Sequence, residues 1–98
     1  MKFILNFTPT SRESLRKLKK DSGLKKRYKA VVKTLRLLSE NPKHPSLQTH
    51  PYYSIVGPKG EKAFEAYAEQ RTPAAYRVFF YYGPNKEEIT IFAITPHP

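Results

Sequence analysis

The side chains in this sequence that can exchange a proton or grip an anion are few and scattered. Histidine, whose charge changes nearest neutral pH, occurs as His44, His50 and His97. These three lack the spacing that sets two ligands on one helix face, and the acids do not cluster, so no metal site and no cofactor is expected. With no cysteine, disulfide staples and thiolate zinc sites are excluded, which fits a reducing compartment. Cations are abundant by contrast: 18 Lys and Arg stand against 8 Asp and Glu, for a net charge of +10. Twelve of those cations and only three of the acids fall in residues 1–40. A basic block of that size attracts polyanions and releases counterions when it meets nucleic acid. RNA, DNA and an acidic protein all fit as partners, and a solvated helix face is the plainer use of such a run.

The elements that must position these residues are legible from periodicity. KFILNF (2–7) alternates as a strand does. A helix follows, capped either by Thr8 with Pro9 in its first turn or by Thr10 in a capping box with Glu13. Leu15 and Leu18 form its apolar stripe, and Asp21-Ser22-Gly23 ends it. Leu24, Tyr28, Val31, Leu35 and Leu38 recur at helical spacing, with Val32 and Leu37 widening the stripe. Asn41-Pro42 stops this second helix, which should pack on the first as an antiparallel hairpin. Residues 41–61 hold four of the nine prolines and two of the four glycines, and read as a long loop lying against the body of the domain.

From residue 62 the period changes to two. KAFEAYAE (62–69) sets Phe64, Ala66 and Ala68 opposite Glu65, Tyr67 and Glu69. AAYRVFFYY (74–82) sets Tyr76, Val78, Phe80 and Tyr82 opposite Arg77, Phe79 and Tyr81. After the turn GPNKE, EITIFAIT sets Ile89, Ile91 and Ala93 against Thr90, Phe92 and Ile94. The order β-α-α-β-β-β predicts an α+β fold, a helix hairpin packed on an antiparallel sheet. At 98 residues the chain is expected to be a single domain, residues 1–98, burying roughly 60–65% of its unfolded surface. No apolar run reaches membrane-spanning length and the N-terminus lacks a signal-peptide pattern, so a soluble, cytoplasmic protein is expected, with no membrane partner.

Read in series, these elements resemble the RelE/ParE toxin superfamily, the toxin half of type II toxin–antitoxin pairs. The resemblance rests on the N-terminal strand followed by a basic helix hairpin, the Asn41-Pro42 stop and SLQTH (46–50). It continues through FEAYAEQRTPAAYRVFFYY (64–82) and the closing strand ending ITPH (94–97). It implies a RelE-like mRNA interferase, a metal-independent endoribonuclease that acts at the ribosome and is silenced by a cognate antitoxin. Such chemistry drives the ribose 2′-OH onto the adjacent phosphate. It needs a proton acceptor, a cation for the developing charge, an acid for the leaving oxygen and a flat group to stack a base.

On this resemblance His97 is the candidate acid or base, Arg77 the phosphate ligand, and Arg71 a second cation reaching the same groove. Tyr67 stands where many RNA-cleaving relatives carry arginine, and Pro98 where they carry a terminal arginine, so a two-arginine site does not carry over unchanged. Tyr67 and Tyr81 can stack bases, although aromatics in a small sheet commonly serve as core. Lys19, Lys20, Lys25, Lys26, Arg27 and Lys29 are the candidate RNA-binding cations. Glu65 or Glu69 can act as base or pair with Arg77, and His50 reaches the groove if its loop folds over the sheet. Two other readings stay open: a ParE-like inhibitor of DNA gyrase without nuclease activity, and an inactive RelE-fold binding module.

Overall fold

The computed structural model describes residues 2–97, and among them two α-helices and five strands build the fold. They are β1 (Ile4–Phe7), α1 (Pro9–Lys20), α2 (Lys25–Glu40), β2 (His50–Val56), β3 (Lys62–Tyr67), β4 (Tyr76–Tyr82) and β5 (Glu88–Pro96). The strands form one sheet in the order β1-β5-β4-β3-β2. Strands β2 to β5 run as an antiparallel meander, which brings β5 back beside β1. There the two run parallel, pairing Leu5 with Ile89 and Phe7 with Ile91, so the sheet is mixed rather than wholly antiparallel.

The α1 start is decided by Thr8, not by Thr10. The Thr8 Oγ1 accepts from the Ser11 backbone N–H at 3.2 Å, with Pro9 in the first turn where its missing N–H is harmless. The buried Ser11 hydroxyl donates to the Ile91 carbonyl at 2.8 Å, which ties the helix start to β5. Glu13, freed from any capping box, pairs with Arg16 one turn on, and that contact lowers the glutamate's pKa. The α2 stripe holds at Val31, Leu35 and Leu38, which are buried, while Val32 faces outward. The two helices cover one face of the sheet. Leu18, Val31, Leu35 and Leu38 meet Ala66, Val78, Phe80, Ile89, Ile91 and Ile94 in a single core.

Two expectations fail for identifiable reasons. Residues 41–61 are not a loop throughout: Pro45–Leu47 is a 3₁₀ turn and His50–Val56 is a strand. Pro51 obscured that strand, but proline is tolerated at a sheet edge, where no donor is needed on the open side. Leu47 does lie in the core, whereas Tyr53, Ile55 and Val56 are exposed on the edge strand β2, whose pairing with β3 is irregular between Pro51 and Val56. The second failure is the phase of β5. Phe79 pairs with Ala93 and Phe80 with Ile91, leaving Phe92 as an extra, bulged residue. The bulge shifts the alternation by one. Ile94 therefore joins the core at 2% exposure, and Ala93 falls on the opposite face.

Candidate functional site

The face of the sheet turned away from the helices carries polar and ionisable side chains at one end and aromatic packing at the other. Register alone gathers the site. Tyr67 pairs with Arg77 across β3 and β4, Arg77 with Thr95 across β4 and β5, and His50 with Glu65 across β2 and β3. His97 follows the last β5 residue, and its backbone N–H still donates to the Ala75 carbonyl at 2.8 Å, extending the ladder. Tyr67, Arg77 and His97, together with the segment joining β3 to β4, line a cleft of ≈ 710 Å³, and His50, Glu65 and Thr95 stand outside its lining. Tyr67, Arg71, Arg77 and His97, distant in sequence, all lie in its lining, with Glu69 and Gln48 beside them.

The cleft's rim is a strained turn held from several sides. Arg71 and Ala74 occupy the left-handed region, at φ 58° and 54°, which costs a residue with a Cβ roughly 1–2 kcal/mol each. Thr72 closes the turn through its carbonyl, which accepts from the Ala75 N–H at 3.1 Å, and Glu69 Oε1 accepts from the Tyr76 N–H at 3.0 Å. Arg27 reaches over from α2 as a strut. Its guanidinium donates to the Ala74 carbonyl at 2.6 Å and the Pro73 carbonyl at 3.1 Å, lies 3.5 Å from Glu69, and sits over the Tyr76 ring. Arg27 is thus spent on building the rim, a use that its place in a basic run did not suggest. Arg71 is exposed, and among the described residues no ion pair or hydrogen bond holds its guanidinium.

Arg77 is held more tightly. Its Nη1 pairs with Glu65 Oε2, its guanidinium lies 5.0 Å from the centre of the Phe79 ring, and its buried Nε has no hydrogen-bond partner among the described residues. Glu65 is itself only 3% exposed and has a second partner in His50, whose Nε2 lies 2.7 Å from Oε1. The His50 ring meets Tyr67 edge to face, 5.6 Å between centroids. His50 and Glu65 meet only because β2 pairs with β3, a register that no local pattern around either residue announces.

Tyr81 sits elsewhere. It is 9% exposed, faces Ala63 across the sheet, and stacks on Phe92 at 6.1 Å. Its neighbour Phe79 is capped by the edge of Tyr52 at 4.9 Å. A second apolar layer therefore fills this end of the open face, and Tyr81 presents no free ring to a ligand. Lys19 and Lys20 end α1, and Lys25, Lys26 and Lys29 begin α2; all five are exposed. They crown the hairpin end from which Arg27 touches the cleft rim.

Among the described residues, no helix is long and apolar enough to cross a membrane. No family model matches the sequence, and no curated protein is similar to it in sequence. The fold, however, has solved counterparts. A YoeB/ParE toxin from Agrobacterium tumefaciens superposes with a TM-score of 0.69 at 11% identity, over 100% of both chains. A chain of the archaeal RelE-RelB complex from Pyrococcus horikoshii matches at 0.67 and 15% identity, covering 98% of this chain and 96% of that one. A YoeB dimer from Staphylococcus aureus gives 0.67 and 15%, again over 100% of both chains. The chain has the fold of the RelE and YoeB/ParE toxins.

Proposed function

We propose that this protein is the toxin of a type II toxin–antitoxin pair, a cytoplasmic endoribonuclease that cuts mRNA on the ribosome. The observation that carries the reading is the convergence of Tyr67, Arg71, Arg77 and His97 on one cleft in a RelE-type fold. In this reading the 2′-oxygen attacks the adjacent phosphorus as the bond to the 5′-oxygen breaks, leaving a 2′,3′-cyclic phosphate and a 5′-hydroxyl. Glu69, the carboxylate in the cleft lining, takes the 2′-OH proton, and His97 gives one to the departing oxygen. Arg71, with Arg77, offsets charge on the phosphoryl oxygens. Tyr67 stacks a base. The exposed lysines at the hairpin end supply affinity for ribosomal or messenger RNA. With a net charge of +10, the fitting antitoxin is an acidic protein.

A second reading draws on the Glu65–Arg77 pair. An arginine already committed to a carboxylate suits a ParE-like inhibitor that binds gyrase and cuts nothing. Induction of the chain alone separates the two. The nuclease reading expects protein synthesis to stop first, with DNA intact. DNA damage under continuing synthesis would transfer the assignment to gyrase.

A further inference from the structure

Arg77 poses a problem for any role at a phosphate, because the group it would have to leave is buried. Glu65 sits in the sheet with its side chain 4% exposed, and Arg77, at 14%, occupies one of its two oxygens. Removing the sole partner of a buried carboxylate is strongly unfavourable. Glu65 has another partner, however, on the other oxygen. His50 Nε2 lies 2.7 Å from Oε1, and its Nδ1 lies 3.0 Å from the Gln48 carbonyl. Both ring nitrogens thus face oxygen acceptors, and a ring carrying a proton on each would satisfy the two at once. Gln48, in the left-handed region at φ 48°, lines the cleft, so His50 also pins the cleft wall to the sheet. The Arg77 fork meanwhile uses Nη1 and leaves its buried Nε without a partner among the described residues, so a second acceptor would complete it.

We propose that His50 is a positioning residue: it holds the Glu65 carboxylate compensated while Arg77 turns from it to an RNA phosphate. The proposal rests on the RNA-cleaving reading. The groups facing this pair are Glu65 and Tyr67 from β3, Arg77 from β4 and the Gln48 carbonyl, so the exchange stays within one charge cluster. Without His50, Arg77 stays locked on Glu65 and becomes useless to substrate although still present.

The test is a double-mutant cycle on the full chain, with binding of a fully 2′-O-methylated single-stranded RNA hexamer as the probe. In the native background Arg77→Ala weakens binding about tenfold. In the His50→Ala background the same change costs less than about twofold, and adding Glu65→Gln to His50→Ala restores the Arg77 contribution. His50→Gln, which can still donate to Glu65 but carries no charge, gives the same loss of coupling and serves if the alanine variant misfolds. An equal Arg77 penalty in both backgrounds, or no recovery with Glu65→Gln, overturns the proposal. Exchange of the Arg77 guanidinium by NMR provides a readout free of RNA: it slows in His50→Ala and quickens in Glu65→Gln. Should the native chain bind no RNA, the nuclease reading falls, and unchanged guanidinium exchange in His50→Ala would separately end the role given to His50.

Discussion

Toward the helices, the sheet presents Ala66, Val78, Phe80, Ile89, Ile91 and Ile94, all at 2% exposure or less. On the reverse, the same strands present Glu65, Tyr67 and Arg77 at one end and Phe79 and Tyr81 at the other. The helix-covered face has one task, to exclude water, and any apolar side chain of suitable volume serves it. The open face must hold charges in place, which takes specific partners, each with its own partner behind it. Stability therefore resides mainly on the first face, and the proposed chemistry on the second. The β5 bulge at Phe92 is where the two demands meet, since it alone allows Ile91 and Ile94 to share the covered face.

Substitutions can break this division if it is wrong. The largest effect belongs to the covered face: Phe80→Ala, at a fully buried position, should cost about 3–5 kcal/mol in denaturant unfolding. A loss below about 1 kcal/mol, the scale of a surface change, would mean the core lies elsewhere. Arg27→Ala should cost about 1–2 kcal/mol by removing charged donors from two carbonyls, and should loosen residues 70–75 in amide exchange while leaving β5 protected. Unaltered exchange in that segment would deny Arg27 its role as a strut.

The smallest effect is a pH dependence. Burial raises the pKa of the Tyr82 phenol above its usual value of 10.0. A folded-state value above the unfolded one contributes stability that is present below pH 10 and is lost as pH rises toward the folded value. Tyr82→Phe should accordingly remove part of the alkaline destabilisation measured above pH 10. An identical alkaline profile in the variant would show that Tyr82 ionises as freely folded as unfolded.

Much of the covered face was readable from sequence. The α2 stripe at Val31, Leu35 and Leu38 and the alternation through Val78 and Phe80 are local patterns, and local patterns report burial directly. Strand β2 and the β5 bulge were not readable, since each depends on a neighbour's register. The candidate site divides the same way. Arg71, Arg77 and His97 could be placed by their positions near strand ends, and the cleft gathers them with Tyr67. Arg27 and Tyr81 could not be sorted from sequence, because the carbonyls that bind one lie 46 and 47 positions away and the ring that covers the other lies 11 away. The His50–Glu65–Arg77 chain likewise appears only once three strands are side by side.

The central claim is that the cleft cuts RNA through His97. Its most direct measurement is primer-extension mapping of mRNA in a reconstituted translation reaction, comparing the native chain with a folded His97→Ala variant. The account predicts discrete cuts within ribosome-bound message and a rate lower by about 10²–10⁴-fold in the variant. Equal cutting by both proteins, or no cutting by the native one, would contradict it.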